Sequence, residues 1–338
     1  SQRRAAAGGG ESCGVGAGGP RGARGDGGGE GEQAGDGRRA RVQARGAAGH
    51  VDETGVVGGR GIGAGRRARR ERSGHRPGDG GGCALVAGTV RETLATGAPA
   101  RSDAEADDYL VLVDVDRGAS GLDTGSPVVA RLLHVDPIVA AGDRVAVGDD
   151  LGRLVDSGYF APWVDPHLHL GFRDPDQNLR RASGSLPISL GVTPKPLPWD
   201  GQGRVVATGK TWVWLNAPAG PLGQWAGLAT AGPDGALDLT LDGGFPHYTG
   251  GGALGPGSDG PLSLLGTAVG ERTGRRAAWH EVEVWLDDAP AVGLSLAFAR
   301  DGSGAKVVAP AHDLDVGDQA QVTIRAGERP RLGRPEPR

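Results

Sequence analysis

The sequence predicts an all-β protein with two domains, a small barrel followed by a β-sandwich. From Ala84 onward, short apolar segments alternate with Gly- and Asp-rich turns at the spacing of β-hairpins. The same part of the chain shows no helical period of apolar residues. A chain of 338 residues also exceeds the size at which a single hydrophobic core stops growing, which favours two domains.

Residues 1–83 differ sharply in composition from the rest. The first 82 residues contain 28 glycines but no Leu, Phe, Tyr or Trp. Such a segment buries too little apolar surface to offset chain entropy. We therefore interpret 1–83 as disordered, or as spurious translation of GC-rich DNA joined to a real domain near Cys83. The irregular spacing of its RGG groups and its lack of aromatic residues argue against an RNA-binding tail, so no nucleic-acid partner is predicted.

The charges are also unevenly distributed. Residues 1–83 hold 15 of the 37 basic and 9 of the 41 acidic residues, so the remainder is acidic, and it contains few lysines. Such a surface keeps a protein in solution by mutual repulsion. No window reaches the roughly 18 consecutive apolar residues of a membrane span. Because the chain starts at Ser1 and contains no methionine, we expect the true start and any signal peptide to be missing; neither compartment nor oligomeric state is assigned.

The first domain is predicted to span 84–184. Its candidate strands combine β-branched and other apolar residues between turn signals, and they lie at 84–93, 109–116, 127–135, 144–147, 151–156 and 166–172. A linker rich in Pro, Gly and Ser is predicted for 185–203.

The second domain is predicted to be a β-sandwich over 204–327, followed by a disordered tail at 328–338. Several of its segments alternate apolar and polar residues, as half-buried antiparallel strands do; the candidates are 204–216, 236–242, 262–269, 278–286, 292–300, 305–309 and 320–326. The Gly-rich segment 241–252 is interpreted as a tight turn. The alternative is a loop that brings His247 or Tyr248 to a functional site.

One short segment of the first domain carries candidate chemistry. Residues two apart on a strand face the same side, so Asp165-Pro-His-Leu-His169 projects His167 and His169 together. Two imidazoles on one side suit a divalent metal such as zinc. The His-x-His pattern alone is weak evidence for a metal site, and the surrounding motifs strengthen it.

That context is the order of motifs around the two histidines. Arg131-Leu-Leu-His134 comes first, followed by the paired Gly-Asp turns of Val139-Ala-Ala-Gly-Asp-Arg-Val-Ala-Val-Gly-Asp-Asp-Leu-Gly152, and then Pro166-His-Leu-His-Leu-Gly-Phe-Arg173. This order resembles the lysostaphin-type (LytM-like) zinc metallopeptidases, whose fold is a barrel-sandwich hybrid. The resemblance covers about a third of the chain, at residues 84–184.

The resemblance implies a zinc-dependent metalloendopeptidase that hydrolyses peptide amide bonds. His169 matches the zinc-ligand histidine of the family. His167 and His134 match the catalytic histidines that orient water and stabilise the oxyanion, with Zn²⁺ as the cofactor. The implied substrate is a peptide, such as a cross-link of a cell-envelope polymer. Arg173 is interpreted as a solvated strand end.

The family takes its first two zinc ligands from a histidine and an aspartate four residues further on. His75-Arg-Pro-Gly-Asp79 has that spacing, but it lies closer to Gly88 than the family pattern requires, and we interpret it as coincidence. A single histidine does not hold catalytic zinc. Two alternatives follow: the remaining ligands were lost with a disrupted start, or the protein is an inactive relative.

Two other functions compete with the peptidase. The Gly-Asp hairpin also resembles biotin and lipoyl carriers, but those need a lysine at the hairpin tip, and the first lysine of this chain is Lys195. The second rival is a non-catalytic lysostaphin-like binding module that acts with the C-terminal sandwich through exposed aromatic residues. Trp212, Trp214, Trp279 and Trp285 are its candidates, although we expect such tryptophans to lie in the core.

Overall fold

The computed structural model describes residues 40–42, 48–51, 57–60, 81–299 and 304–328. Side chains are described for 82–188, 191–299 and 304–328. Most of the predicted low-complexity segment lies outside the described residues, as do His75, Asp79 and nearly all of the predicted tail at 328–338.

The described part of the chain is almost entirely β-structure, which confirms the predicted fold class. Up to Leu190 it forms short strands and one helical turn: β1 (Ala40–Val42), β2 (Ala48–Val51), β3 (Val57–Arg60), β4 (Gly81–Cys83), β5 (Gly88–Gly97), β6 (Asp107–Val115), α1 (Arg117–Ser120), β7 (Leu122–Asp123), β8 (Val129–Leu133), β9 (Val135–Pro137), β10 (Arg144–Val145), β11 (Asp150–Leu154), β12 (Leu168–Arg173) and β13 (Ile188–Leu190). The helical turn is capped by the Asp116 side chain, which accepts a hydrogen bond from the Ala119 amide.

The N-terminal domain is built on a curled antiparallel sheet. Its order within the described residues is β10-β5-β6-β8-β12-β3-β2. In the adjacent sheet β4-β11-β9, the chain between β9 and β11 contains the two Gly-Asp turns, one on each side of β10, and Asp143 and Asp149 each cap their own turn by accepting a backbone amide. These two turns could be predicted from the sequence because an Asx-type turn needs an Asp side chain of this kind.

The two faces of the central sheet differ in composition. One face contributes Val111, Val113, Leu132, Leu170 and Phe172 to the main core of this domain. The opposite face carries a smaller cluster around Leu110, Leu112 and Val129. Residues directly opposite each other in the register share a face, which places several polar side chains on the side of the smaller cluster.

The C-terminal domain continues as a larger β-sandwich. Its strands are β14 (Lys195–Leu197), β15 (Gln202–Gly209), β16 (Trp212–Leu215), β17 (Ala226–Thr230), β18 (Leu239–Phe245), β19 (Gly250–Leu254), β20 (Gly260–Leu264), β21 (Thr267–Thr273), β22 (Arg276–Trp279), β23 (Val282–Leu286), β24 (Ala289–Ala291), β25 (Gly293–Leu296), β26 (Lys306–Val308) and β27 (Gln319–Ala326). They pair as β20-β21-β22-β19-β18-β25-β26-β16-β15-β27-β23-β24, with β17 joining β14 to β18.

Some predicted strand boundaries in this domain are wrong. The segment 204–216 was predicted as one strand, yet it is the hairpin β15-β16, with Gly209 opposite Trp212. The predicted turn at 241–252 is also shorter, because β18 continues through two glycines to Phe245 and β19 begins at Gly250. Glycine lowers strand propensity, but here it allows strands to pack closely: a Cβ on Gly251 would lie 2.3 Å from the carbonyl oxygen of Asp242.

The expectation that the four tryptophans lie in the core holds for Trp279, whereas Trp212, Trp214 and Trp285 are half-buried. Trp279 is buried in the sandwich core and donates to the carbonyl of Gly244. Trp212 lies under the ammonium of Lys306, and Trp285 lies against Arg325. Among the described residues, no helix approaches the length and apolarity of a membrane crossing.

Candidate functional site

Three histidines from separate parts of the N-terminal domain lie together. His134 Nε2 is 3.3 Å from His169 Nδ1, and His169 Nε2 is 2.7 Å from His167 Nε2. His134 follows β8, whereas His167 and His169 stand at the start of β12, which pairs with β8. The structure thus brings together all three histidines that the sequence singled out.

His134 occupies a bend between β8 and β9. Its φ of 69° lies in the left-handed region, which is unusual for a residue other than glycine. Its amide donates to the carbonyl of Tyr109 at 3.2 Å, and its own carbonyl accepts from the Val155 amide at 3.0 Å. The bend is therefore held from both sides, and a strained backbone fixed in this way is common where a side chain must point into a site.

A buried carboxylate lies behind His134. Asp108 Oδ2 is 2.7 Å from His134 Nδ1 and accepts the Ser157 hydroxyl at 2.7 Å, while Oδ1 accepts the Tyr109 amide. Burial alone raises the pKa of Asp108, but the hydrogen bond and charge of His134 and the Ser157 hydroxyl outweigh it and hold the pKa below its usual value. The carboxylate stays charged, and it fixes Nδ1 of His134 as a hydrogen-bond donor.

Sequence reasoning missed Asp108 and Ser157. Asp108 is the second residue of β6, and its side chain is 1 % exposed. An aspartate that begins an apolar strand reads as a turn residue, because the sequence does not show that the strand end is covered. The burial of an acidic side chain is the signal that identifies Asp108 as a site residue, and only the structure shows that burial.

The three imidazoles form a chain with an acceptor at each end. At the outer end His167 Nδ1 is 2.8 Å from the carbonyl oxygen of Asp165, and at the inner end lies the Asp108 carboxylate. These four contacts in series need four protons, whereas three neutral imidazoles carry three. The described contacts are therefore all hydrogen bonds only when the cluster carries one positive charge, which the Asp108 carboxylate balances.

One wall of the cluster is aromatic. The ring of Phe160 stacks on His167 at a centroid distance of 4.4 Å and meets the edge of His134 at 4.6 Å. His134 and Phe160 are buried, while His167 and His169 are half-buried. Water therefore reaches the cluster from the side of His167 and His169.

The C-terminal domain holds the loop that leads to His167. Lys306 of β26 donates from Nζ to the Trp163 carbonyl at 2.9 Å and to Asp165 Oδ2 at 2.8 Å. Lys306 is almost fully buried, and its ammonium lies 4.7 Å from the Trp212 ring centroid. Lys306, a residue of the sandwich, thus holds Asp165 in place. The carbonyl of Asp165 in turn contacts His167 at the outer end of the imidazole chain.

His247 lies at the same domain junction. Its ring meets Trp163 edge-on at a centroid distance of 5.9 Å, so the segment around Phe245 does reach the loop before His167. Its Nδ1 is enclosed without a hydrogen-bond partner, and burial lowers the pKa of His247 to about 4. No described contact joins His247 to the three clustered histidines, so we assign it a packing role.

The described residues do not complete a zinc site. They contain no group of three or more His, Cys, Asp or Glu side chains arranged to hold a metal ion. The imidazole nitrogens face one another in series rather than converging on one point, and the Asp108 carboxylate is already taken by His134 and Ser157. Zinc at His169 would need further donors, and His75 and Asp79 lie outside the described residues.

The prediction that Arg173 is a solvated strand end is wrong. Its side chain is 2 % exposed and donates to the carbonyls of Arg181, Ala182 and Ser183, which fold back over the end of β12. The sequence shows an arginine at a strand end, but it does not show that the following segment covers it.

Comparison with protein families identifies both domains. Residues 76–190 match the DUF8155 N-terminal domain, and residues 195–325 match the DUF8155 C-terminal domain; both are described as domains of unknown function. The chain thus carries the two domains of the DUF8155 family in their N-terminal to C-terminal order. Searches against curated proteins and against solved structures gave no significant match.

Proposed function

We propose that the N-terminal domain hydrolyses peptide amide bonds as a zinc-dependent, lysostaphin-like peptidase. The observation that carries the proposal is the series of contacts that links His167 to His169, His169 to His134, and His134 to the buried carboxylate of Asp108. Amide hydrolysis needs a group that takes a proton from water and one that stabilises the developing oxyanion, and imidazoles in different environments serve both needs.

The environments of the histidines suggest how these tasks are divided. His167 is half-buried at the outer end of the chain, so it is placed to accept a proton from an attacking water. His134 is enclosed and held by Asp108, so its ring stays oriented towards His169. The carbonyl of Asp165 receives Nδ1–H of His167, and Nε2 of His167 faces Nε2 of His169, so proton transfer to His167 requires that contact to open.

Zinc enters this proposal through His169, whose contact with His167 or with His134 would have to give way to the metal. A bound zinc ion lowers the pKa of its water towards neutrality and polarises a carbonyl. The remaining ligands would come from outside the described residues; His75 and Asp79 have the His-x-x-x-Asp spacing of the family but lie closer to Gly88 than its pattern requires. The proposal therefore requires the segment upstream of Gly81.

A non-catalytic binding module is the alternative, and one observation favours it. The part of the chain that the structure describes has no group of three side chains arranged for a metal. On this alternative the imidazole cluster is a structural polar core, and the domain binds a peptide or a cell-envelope polymer without cleaving it.

The test uses the full-length protein. We expect one equivalent of zinc by elemental analysis and cleavage of members of a quenched fluorescent peptide library that includes Gly-rich peptides, with products identified by mass spectrometry. Alanine at His169 should remove the zinc, and alanine at His167 should slow cleavage by about 10²-fold or more. His280→Ala, at a partly exposed histidine of the other domain, is the control. Absence of both zinc and cleavage would refute the peptidase and leave the binding module.

A further inference from the structure

Arg131 lies on the same face of the central sheet as His169. It stands in the middle of β8, opposite Leu112 of β6 on one side and Gly171 of β12 on the other. His169 is opposite Leu133, two residues further along β8, so Arg131 is its diagonal neighbour. Diagonal neighbours lie about 7–8 Å apart, within reach of a long side chain.

The charge of Arg131 has no partner among the described residues. Its side chain is 6 % exposed, its Nε is enclosed without a hydrogen-bond acceptor, and no hydrogen bond or ion pair involves its guanidinium. Arg173 on the same face contrasts with it, because its terminal nitrogens are taken up by backbone carbonyls. Burial lowers the pKa of Arg131, and the charge of Arg173 lowers it further.

An unpaired buried cation in this position is costly for folding. Its neighbours on the face include Leu110, Leu112 and Val129, which form an apolar cluster. A leucine would fit such surroundings without the desolvation penalty of a charge. Nη1 and Nη2 are not among the enclosed, unbonded atoms, and because neither forms a hydrogen bond, both keep contact with solvent. The guanidinium therefore has free donors that an incoming group can reach.

We propose that Arg131 binds a carboxylate of the peptide substrate and thereby sets which amide lies beside His169. The proposal rests on the hydrolytic function above. A guanidinium binds a carboxylate through two parallel hydrogen bonds. A single available guanidinium matches a singly charged carboxylate better than a doubly charged phosphate, because the donors of Arg173 are already engaged.

The spacing limits the position of that carboxylate. An extended peptide advances about 3.3–3.6 Å per residue, and the diagonal separation of about 7–8 Å corresponds to two residues. The carboxylate is therefore the C-terminus of the substrate or the side chain of an Asp or Glu, placed one or two residues from the cleaved amide.

Binding of three probe peptides distinguishes these sources. The probes are N-acetyl-tetraglycine as the free acid, the same peptide as its C-terminal amide, and that amide with Asp as its last residue. Calorimetric titration would use the full-length His167→Ala protein, so that cleavage does not interfere. We expect at least one carboxylate peptide to bind about tenfold more tightly than the plain amide.

Substitutions at Arg131 test whether that residue causes the preference. Arg131→Leu should abolish the preference, Arg131→Lys should reduce it, and Arg144→Leu, at an exposed arginine of the same domain, should leave it unchanged. Thermal unfolding of each variant shows whether it is folded; a preference lost in a folded Arg131→Leu protein supports the proposal.

Two outcomes would overturn it: equal binding of acid and amide, or a preference that survives in Arg131→Leu. Failure of the wild-type protein to cleave any peptide, with carboxylate binding intact, would refute the proposed hydrolysis and leave this binding site standing. Cleavage of peptides without any carboxylate preference would refute this binding site and leave the proposed hydrolysis standing.

Discussion

The two domains differ in how their buried polar side chains are connected. The C-terminal sandwich is built around a continuous apolar core that includes Val205, Leu241, Phe245, Trp279 and Val284. The N-terminal domain encloses a carboxylate, a hydroxyl, an imidazole and two guanidinium groups beside a smaller apolar core; these are Asp108, Ser157, His134, Arg131 and Arg173. The C-terminal domain also buries Asp242, His247, Arg272 and Lys306. Burial of polar groups costs free energy unless they are paired, and in the N-terminal domain the carboxylate, the hydroxyl and the imidazole are paired with one another.

The polar groups of the N-terminal domain also differ among themselves. Asp108, Ser157 and His134 satisfy one another, and the terminal nitrogens of Arg173 donate to backbone carbonyls, although its Nε is enclosed without a hydrogen-bond partner in the described part of the chain, as is Nε of Arg131. Arg131 alone among these five has no hydrogen bond to a described residue. A satisfied network is explained by the fold itself, whereas the guanidinium of Arg131 is the group that the proposed carboxylate would pair.

The largest effect on stability is expected in the apolar core of the sandwich. Trp279→Ala removes a buried ring and its hydrogen bond to Gly244, and we expect unfolding free energy to fall by about 3–5 kcal/mol. Urea denaturation followed by circular dichroism measures this. Trp285→Ala, at a half-buried tryptophan beside Arg325, is the matched control and should cost much less. Equal losses would contradict the burial of Trp279 in the sandwich core.

A smaller effect, dependent on pH, is expected at His247. The unfolded chain protonates this histidine near its ordinary pKa of 6.5, and the folded chain does so only near 4. Because the unfolded state binds the proton more readily, the stability that neutral His247 contributes is complete above pH 6.5. It is lost as the pH falls from 6.5 to 4, by about 3 kcal/mol.

His247→Gln should remove most of this dependence on pH. Denaturation curves measured between pH 4 and pH 7 test it, with His280→Gln as a control at a partly exposed histidine. A His247→Gln protein that loses as much stability in acid as the wild type would show that other groups cause the loss.

At the imidazole chain we expect an effect of about 2 kcal/mol. Asp108→Asn keeps the shape of the side chain but removes the charge that holds His134, and hydrogen bonds to charged groups contribute about 1.5–3 kcal/mol. The measurement is the free energy of unfolding, with the ring signals of His134 in NMR spectra as a second readout. Asp107→Asn is the control, because Asp107 is exposed at the start of the same strand. Unchanged His134 signals in Asp108→Asn would contradict the contact.

The sequence was sufficient for the fold class and for the three histidines. Strand alternation, Asx-type turns and the His-x-His spacing are local patterns, and each depends on a few neighbouring residues. The hairpin at Lys210 and Thr211 was missed because apolar residues continue on both sides of a short turn. The extension of β18 was missed because its glycines are favoured by close packing rather than by local propensity.

The residues that contact the histidines could not be predicted from local sequence patterns. Asp108, Ser157 and His134 lie far apart in the sequence, and only the sheet brings them together. The hydrogen bonds of the two arginines depend on which segment covers them. The terminal nitrogens of Arg173 donate to the carbonyls of residues 181–183, whereas Arg131 has no such acceptors among the described residues. Burial and hydrogen-bond satisfaction are properties of the tertiary structure, so no residue pattern reports them.

The smallest effect is expected where the two domains meet. Lys306→Met removes the ammonium that binds Asp165 and the Trp163 carbonyl. Because the Asp165 side chain is 42 % exposed, water replaces part of the lost interaction, and we expect a stability loss of about 1 kcal/mol. The consequence for the site should be clearer than the consequence for stability, since the carbonyl of Asp165 binds His167. NMR signals of the His167 ring should shift in Lys306→Met and stay unchanged in Lys210→Met, at an exposed lysine of the same domain. Unchanged His167 signals in both variants would mean that the sandwich does not position the site, and the two domains would then act independently.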